Sequence, residues 1–576
     1  MQKISLTHLT VSMTLVAIFG CVAPAEDVSL KPEGMRFPGM NRPDVRGVHG
    51  AVVSGHPLAT AAGHEVLKAG GNAIDAAITM AGVLAVVRPH MNGVGGDAFG
   101  IFYDGVTGEV VGMNGSGRAG ALATPNFFDL AGQEEILSTG PLSVSVPGAV
   151  AAWDDALSRF GTISLSEALA PAIQYAREGF PVSTRLASDI AGASEHLNEP
   201  ASDLYLPVSS PEAVGSLLVN PALAETLETI ATDGKEGFYR GTIANQITDF
   251  LEDQGGYLRD NDFREHETTW VTPLEGSYLD RRVLVLPPNT QGIAQLQLME
   301  MAKTYDLEEM GHNSQDYLHT LIELKKLAFA DRDQWVTDPD FVDIPISEML
   351  GLDYLRSRAA SIGPMAAENV SAGITTHRYA SASSPGEADD TGDTVYLAVV
   401  DQWGNAVSWI QSLFGSFGSG LLEPETGVVL QNRGALFTLD QNHPNVIAPG
   451  KRPYHTLTPT MGLNLDGSFS FALGTPGGDS QVQSLVQILN NLFMFKMTPQ
   501  EAIEAPRFRS YQDLRVAFED RFSIDILESL AGQGHLPSVV NGWTATFGGA
   551  QMIFLEDSGT LTAAADPRRE AYALAY

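Results

Sequence analysis

Apolar residues recur with a helical period through much of the first 340 positions of the chain. Between 60 and 87 they return every three or four positions on either side of Gly70-Gly71, which predicts two helices separated by these glycines. Residues 148–180 predict two more helices, and residues 314–336 predict another. Short apolar runs lie between these segments, so this part of the chain predicts strands alternating with amphipathic helices.

The pattern changes after residue 370. Residues 371–393 lack an apolar period and are rich in Ser, Gly, Ala and Asp, which is typical of a loop. Beyond them, short apolar runs predict strands, and a helical stretch at 480–494 interrupts them. The predicted strands lie at 394–400, 406–413, 427–431, 457–464, 468–473 and near 543–555. Because no internal repeat is found, we predict a mixed α/β sandwich rather than a solenoid.

Thr394 stands where the polar loop meets the first of these strands. The runs TVYLAVV and AVSWIQSLF are joined by DQWGN, whose Gly404-Asn405 supplies turn residues, so they predict a hairpin. If Val400 pairs with Ala406, Thr394 lies opposite Ser412, and directly opposed Cβ atoms are about 4.5–5.5 Å apart. The spacing alone favours a plain cross-strand pair of two hydroxyls.

Two further features suggest chemistry at this junction. Gly392 permits the backbone bend that a strained, self-cleaving peptide needs. Cleavage between Asp393 and Thr394 would give Thr394 a free α-amine with a pKa of about 7.7–8.0, which suits a base at neutral pH. One residue would then supply both the nucleophile and its base.

Charge and the N-terminal segment narrow the class of protein. A net charge of −35 argues against a nucleic-acid partner, because phosphate binding needs clustered Lys and Arg. The first 25 residues carry Lys3, an apolar run and a small-residue site ending at Ala25, which predicts a signal peptide and a periplasmic or secreted protein. The only cysteine, Cys21, lies inside this segment, so disulfides and cysteine nucleophiles are excluded. A lipid anchor at Cys21 is an alternative to cleavage near Ala25.

Nine segments of the chain match the motifs of one known family, in the same order. They are GGNAIDAA (70–77), RPHMNGVGGDAF (88–99), SVPGAVAAW (145–153), ADRDQWVTDPDF (330–341), GDTVYLAVVDQWGNAVSWIQS (392–412), KRPYHTLTPT (451–460), GTPGGDSQVQ (474–483), APRF (505–508) and ADPRRE (565–570). Through them the chain resembles the γ-glutamyltransferase family of N-terminal nucleophile hydrolases over almost all of residues 48–576. The resemblance implies an α+β fold with four αββα layers.

The resemblance also implies roles for individual residues. Thr394 matches the threonine that attacks the carbonyl before it, which here belongs to Asp393. This attack would divide the chain into a large subunit of 26–393 and a small subunit of 394–576, which stay together as a heterodimer. The freed Thr394 would then attack a substrate amide, while Ser412 orients its amine. Gly477 and Gly478 match the backbone donors to the oxyanion, although without the resemblance they would be assigned to a strand-to-helix turn.

At the substrate-binding positions the chain departs from the family pattern. The arginine that holds the α-carboxylate of a γ-glutamyl group falls near Ser116, with Arg118 two positions further on. The acidic residue that pairs with the α-amine falls at Ala435 or Leu436, where no carboxylate is present. An asparagine expected two positions after Ser412 is a phenylalanine.

Other residues near these positions are candidates for binding substrate. The paired serines of the family match His455 and Thr456, and Asn432 and Arg433 lie in the segment QNRGALF. Arg433 and Arg118 could hold a carboxylate through two hydrogen bonds. His455 is a candidate substrate contact, although a lone histidine is more often a structural residue. This pattern resembles the acylase-like branch of the family, whose substrates include glutaryl-type amides.

The sequence therefore predicts an exported, self-processing enzyme that acts on a small-molecule amide without a cofactor or metal. We expect it to transfer a γ-glutamyl or similar acyl group, as from glutathione, to water or to an amino acid or peptide. The first alternative is a glutaryl-type amide acylase with poor glutathione activity. The second, of another class, is an unprocessed binding protein that keeps the fold without catalysis.

Overall fold

Two seven-stranded antiparallel sheets form the centre of the protein in the computed structural model, which describes residues 41–374 and 392–576. The predicted signal peptide, Cys21 and positions 375–391 of the predicted loop lie outside the described residues. The strands are β1 (Val45–Gly47), β2 (Ala51–Ser54), β3 (Asp97–Tyr103), β4 (Val110–Gly115), β5 (Phe180–Pro181), β6 (Leu217–Leu218), β7 (Thr269–Val271), β8 (Leu274–Tyr278), β9 (Arg281–Val285), β10 (Asp393–Val400), β11 (Ala406–Phe414), β12 (Leu422–Glu423), β13 (Val428–Val429), β14 (Thr460–Asn464), β15 (Phe469–Gly474), β16 (Phe508–Ser510), β17 (Arg515–Glu519), β18 (Leu536–Val540), β19 (Gln551–Leu555), β20 (Leu561–Ala565) and β21 (Tyr572–Ala575).

Helices cover the outer faces of these sheets. They are α1 (Pro57–Ala69), α2 (Ala73–Val87), α3 (Pro125–Leu130), α4 (Ala149–Phe160), α5 (Leu165–Glu178), α6 (Thr184–Ala193), α7 (Glu199–Tyr205), α8 (Pro221–Tyr239), α9 (Thr242–Asp253), α10 (Asp260–Arg264), α11 (Gly292–Ala302), α12 (Leu307–Met310), α13 (Gln315–Trp335), α14 (Ile346–Met349), α15 (Leu352–Ala359), α16 (Ser480–Leu489), α17 (Pro499–Glu504) and α18 (Ile524–Gly532). Within the described ranges, none of these helices is both long enough and apolar enough to cross a bilayer.

The layers follow the predicted αββα order. A buried apolar cluster that includes Tyr396, Ile410, Met461 and Ile553 lies between the two sheets. A second cluster joins the sheet containing β10 and β11 to α2, α4 and α5, and a third joins the sheet containing β14 and β15 to α11, α13 and α16. The predicted four-layer α+β sandwich is confirmed.

Strands from both sides of residue 393 interleave in each sheet. One sheet has the order β1-β20-β19-β15-β14-β9-β8, and the other has the order β21-β2-β10-β11-β3-β4-β7. The described residues belong to one compact unit that begins at residue 40. A cut before Thr394 would therefore leave two chains that share both sheets and their cores.

Most predicted elements are confirmed, with differences at their ends. Asn72 and Asp75 form a capping box that begins α2, and Gly70 ends α1 with a φ of 98°, so the predicted break between the two helices has a local cause. The strand predicted from 457 begins only at Thr460, after Pro459, which has no N–H for the ladder. Residues 543–550 are not a strand, because a 3₁₀ turn at Ala545–Phe547 and two glycines precede β19.

Candidate active site

Thr394 lies at the start of β10 and faces Ser412 on β11, as the hairpin spacing predicts. The two strands pair from Val395 with Gln411 through Val400 with Ala406, and an irregularity lies between Asp393 and Val395. The Thr394 Oγ1 donates to the Ser412 Oγ at 3.1 Å, and both side chains are buried. The predicted register is confirmed from Val395 onward, and Thr394 contacts Ser412 as predicted, although the pairing shifts by one residue at Asp393.

The Ser412 hydroxyl continues this contact to the peptide carbonyl that precedes Thr394. Its Oγ donates to the Asp393 carbonyl oxygen at 2.7 Å and accepts from the Phe414 N–H, also at 2.7 Å. Phe414 has a φ of 82°, in the left-handed region that residues other than glycine seldom adopt. A chain of two hydroxyls thus links the candidate nucleophile to the oxygen of the carbonyl that it would attack.

The Gly477-Gly478 turn lies beside the same peptide. A Cβ added to Gly392 would come within 3.2 Å of the Gly478 nitrogen and Cα, so these glycines touch through their backbones. Gly477 and Gly478 have φ values of 125° and 55°, which favour glycine. Neither N–H donates a hydrogen bond within the described residues. The turn therefore has two N–H groups available close to the predicted cleavage point, at the start of α16.

A buried network that the sequence did not indicate holds this turn in place. Gln291 donates from Nε2 to the carbonyl oxygens of Thr456 (2.6 Å) and Gly478 (3.2 Å). Its Oε1 accepts from the Arg332 Nη1 at 2.9 Å and from the Tyr454 hydroxyl at 3.0 Å. Arg332 also binds Asp479, the residue after the turn, at 2.9 Å. Arg332 and Asp479 lie in two of the matched motifs, but nothing in their spacing shows that they meet.

The side chain of Asp393 is held by an arginine that sequence analysis did not single out. The Arg569 Nη1 donates to the Asp393 Oδ1 at 2.7 Å, and the two residues are 6% and 7% exposed. Arg569 lies in the matched segment ADPRRE, 176 positions from its partner. The peptide predicted to be cut is thus fixed both at its carbonyl, by Ser412, and at its side chain, by Arg569.

A cavity of about 1210 Å³ opens beside this peptide. Its lining includes Gly392, Asp393, Phe414 and Arg569. Its further lining includes Asn432, Ala435 and Leu436, and three exposed acidic residues, Glu134, Glu135 and Asp440. The cavity therefore reaches the two residues before Thr394, whereas Thr394 itself is buried and is not part of its lining in the uncut chain.

Of the residues predicted to bind substrate, Asn432 lines the cavity, whereas Arg433 and Thr456 lie behind its wall. The Asn432 Oδ1 accepts from the Gly415 N–H at 2.8 Å. The fully buried Arg433 donates from Nη1 to the Thr456 Oγ1 at 3.0 Å, and its guanidinium stacks on the Phe414 ring at 4.5 Å. Burial lowers the pKa of Arg433 to about 9, and its Nε and Nη2 have no hydrogen-bond partner among the described residues.

His455 and Ser116 are also buried away from the cavity lining. The His455 Nε2 lies 3.1 Å from the Asp97 Oδ2, and its Nδ1 accepts from the Leu457 N–H. Burial lowers the pKa of His455 well below its usual value, so the ring is neutral and donates to Asp97. The Ser116 hydroxyl accepts from Asn289 at 3.1 Å. These contacts favour a structural role for both residues.

Arg118 does not reach the cavity. Its guanidinium contacts the Asp338 and Asp340 carboxylates, both at 3.4 Å, and the Gly450 carbonyl oxygen at 3.0 Å. Arg118, which the sequence suggested as a partner for a substrate carboxylate, is thus already paired with the acidic residues that follow α13.

Among the described residues, one group has the side chains and spacing to hold a metal ion: His319, Glu323 and His535. The His319 Nδ1 lies 2.9 Å from the His535 Nε2, and Lys326 binds the Glu323 carboxylate at 2.8 Å. A hydrogen bond between the imidazoles and an ion pair account for this group, and none of its residues is among the candidate catalytic residues described above.

Comparison with known proteins places this geometry in a family. The family model described as gamma-glutamyltranspeptidase matches residues 59–576. The chain belongs to the γ-glutamyltranspeptidase family. The resemblance carried by the nine motifs is thereby confirmed.

Relatives of this γ-glutamyltranspeptidase family member are named as proenzymes. The chain is 37% identical to a glutathione hydrolase-like YwrD proenzyme of Bacillus subtilis, covering 93% of this chain and 100% of that one. It is 35% identical to an oxamate amidohydrolase proenzyme of Klebsiella pneumoniae, covering 92% and 98%. The crystal structure of a cephalosporin acylase from Bacillus halodurans superposes with a TM-score of 0.86 at 35% identity, covering 95% and 99%.

Proposed function

We propose that the protein is an exported amidohydrolase that cuts its own chain before Thr394 and then uses Thr394 as its nucleophile. The observation that carries the proposal is the buried chain of hydroxyls from Thr394 through Ser412 to the Asp393 carbonyl oxygen. A structural cross-strand pair needs only the contact between the two side chains. The additional hydrogen bond to the preceding carbonyl supports self-cleavage, because a donor at that oxygen stabilises the oxyanion that forms when the carbonyl is attacked.

Self-cleavage follows from this geometry in two steps. The Thr394 Oγ forms a bond to the Asp393 carbonyl carbon, the bond from that carbon to the Thr394 nitrogen breaks, and the hydroxyl proton passes to the nitrogen. Water then opens the resulting ester, so that Asp393 gains a carboxylate and Thr394 regains its hydroxyl. The new α-amine accepts the hydroxyl proton when Thr394 attacks a substrate amide and returns it to the leaving amine. Gly477 and Gly478 supply N–H donors to the oxyanion of that step.

The acyl group that we propose carries a terminal carboxylate and no α-amine. Ala435 and Leu436 line the cavity where the family pattern has an acidic residue, so an ammonium group there would lack a counter-charge. Leaving such a group desolvated costs at least about 1–3 kcal/mol. Oxamate, the substrate named for one relative, likewise carries a carboxylate and no α-amine.

Transfer or hydrolysis of γ-glutamyl groups, as from glutathione, is the second candidate function. The exposed Glu134, Glu135 and Asp440 line the same cavity and could bind an ammonium group from another side. A relative named as glutathione hydrolase-like supports this candidate. A direct comparison of matched substrates separates it from the first.

Self-cleavage is tested on a denaturing gel. Purified protein should show two bands of about two-thirds and one-third of the chain, and sequencing of the smaller band should begin Thr-Val-Tyr-Leu. Thr394→Ala should remain whole, whereas Thr394→Ser, which retains a hydroxyl, should still be cut. Active protein that runs as one intact band contradicts the mechanism. An intact band without amide turnover supports a binding protein instead.

Substrate preference is tested with anilides that differ only in the acyl group. We expect kcat/KM for the glutaryl anilide to exceed that for the γ-glutamyl anilide by at least about tenfold, or ~1.4 kcal/mol. A clear preference for the γ-glutamyl compound would show that a carboxylate outside the family position binds the amine. The second candidate would then stand.

A further inference from the structure

Asp393 has two roles in the uncut chain. Its main-chain carbonyl, which accepts from Ser412, is the group that Thr394 is proposed to attack, and its side-chain carboxylate is bound by Arg569. Its carboxyl carbon is separated from the attacked carbonyl carbon by two carbon atoms, which is the spacing in a succinyl amide. The precursor therefore presents to Thr394 an acyl group with a carboxylate at a defined distance.

A substrate must take the place of Asp393. Its acyl carbon has to reach the Thr394 Oγ, where the Asp393 carbonyl now lies, so the cut chain end has to leave. Arg569, which is 6% exposed, would then lose the carboxylate that it now binds. A buried cation without a counter-charge is costly, and an anionic group on the substrate removes that cost.

The other arginines near the site are less suited to this role. Arg185 also lines the cavity, but its Nε already donates to both carboxylate oxygens of Asp189, at 2.8 and 2.7 Å. Arg433 has two unpaired nitrogens, but it lies behind the Phe414 ring and does not line the cavity. The Arg569 Nε has no hydrogen-bond partner among the described residues, so part of its donor set is unused even in the precursor.

We propose that Arg569 determines acyl specificity by binding the carboxylate of the substrate's acyl group, and that Asp393 occupies this subsite until the chain is cut. The inference rests on the proposed function, because it requires Thr394 to act on an amide. It adds that the acyl carboxylate lies two or three carbons from the amide carbonyl.

The test measures a ratio, namely kcat/KM for the succinyl anilide divided by kcat/KM for the butyryl anilide, in which a methyl group replaces the carboxylate. In Arg569→Met we expect this ratio to fall by about 10- to 150-fold, since a hydrogen-bonded charge pair is lost, with the larger share in KM for the succinyl compound. Arg185→Met is the matched control, because it removes the other arginine of the cavity lining, and it should keep the ratio of the wild type.

A second variant is needed because Arg569→Met leaves Asp393 unpaired and can block the cut itself. If that variant stays whole, the ratio is measured in Asp393→Asn, Arg569→Met, where neither side chain is charged. Asp393→Asn alone serves as its control and should keep the wild-type ratio, since Arg569 is then still present. A low ratio in the double variant, together with a wild-type ratio in Asp393→Asn, supports the proposal.

The outcomes separate this proposal from the proposed function. A wild-type ratio in the cut Arg569→Met enzyme, or a ratio that collapses only in Arg433→Met, shows that Arg569 does not bind the carboxylate, while amide hydrolysis by Thr394 stands. A wild-type protein that stays whole, or that turns over neither these two anilides nor the glutaryl and γ-glutamyl anilides, overturns the proposed function itself.

Discussion

Ser412→Ala is the substitution that most directly tests the hydroxyl chain. In the uncut protein the Ser412 Oγ donates to the Asp393 carbonyl oxygen at 2.7 Å and accepts from the Thr394 hydroxyl at 3.1 Å. Alanine removes both contacts and leaves the Phe414 N–H without its acceptor. The backbone pairing of β10 and β11 does not involve this side chain and should persist.

The expected slowing of self-cleavage follows from the negative charge that develops on the Asp393 carbonyl oxygen. Attack by Thr394 turns that carbonyl oxygen into an oxyanion, and loss of one donor to an oxyanion typically costs about 2.7–4 kcal/mol, or 10²–10³ in rate. Self-cleavage of Ser412→Ala should therefore slow by about two to three orders of magnitude. The unpaired Phe414 N–H should also lower the free energy of unfolding by about 1–3 kcal/mol.

The assay is the intact fraction on a denaturing gel over time after rapid purification. Ser408→Ala is the matched control, because Ser408 is also buried on β11 but hydrogen-bonds to the Tyr396 hydroxyl and the Thr460 carbonyl oxygen. It should be cut like the wild type. In the mature enzyme, Ser412→Ala should lower kcat far more than it changes KM, since Ser412 is proposed to orient the Thr394 amine.

Normal cleavage and turnover in Ser412→Ala would refute this reasoning. The contact between Thr394 and Ser412 would then be the plain cross-strand pair that the spacing by itself favours. Equal slowing in Ser408→Ala would instead assign the effect to disturbed packing of β11.

Two further predictions concern residues behind the cavity wall. Gln291→Ala should lower kcat by about tenfold or more with little change in KM, because the Gly478 carbonyl oxygen loses its hydrogen bond from Gln291. Steady-state kinetics on the cut enzyme would check this, and a change in KM alone would contradict it. Burial raises the pKa of Asp97 from 3.8 to about 6, so its stabilising contribution is present at low pH and lost as pH rises through about 6. The test compares Thr394→Ala with Thr394→Ala, Asp97→Asn by urea denaturation at pH 4.5 and at pH 7.5. The free energy of unfolding of the protein that keeps Asp97, minus that of the Asn variant, should be about 2 kcal/mol smaller at pH 7.5 than at pH 4.5. An equal difference at both pH values would argue against this reasoning.

The sequence was sufficient to predict features that depend on residues close to one another along the chain. The register of β10 and β11 follows from the side-chain period of strands and a five-residue connection, so the spacing alone places Thr394 opposite Ser412. The break between α1 and α2 follows from Gly70 and the Asn72 cap. The nine motifs were enough to identify the family, and the predicted nucleophile position lies at the start of a buried strand as expected.

The surroundings of the site were decided by contacts between distant segments. Arg118 and Arg433 were equally good carboxylate binders by residue type, yet Asp338 and Asp340 engage the first and the Phe414 ring covers the second. Arg569 received no role because nothing local connects it to Asp393, 176 positions away. Which charged groups are buried, and which partner each receives, depends on how the sheets and helices pack, and a period along the chain carries no information about that packing.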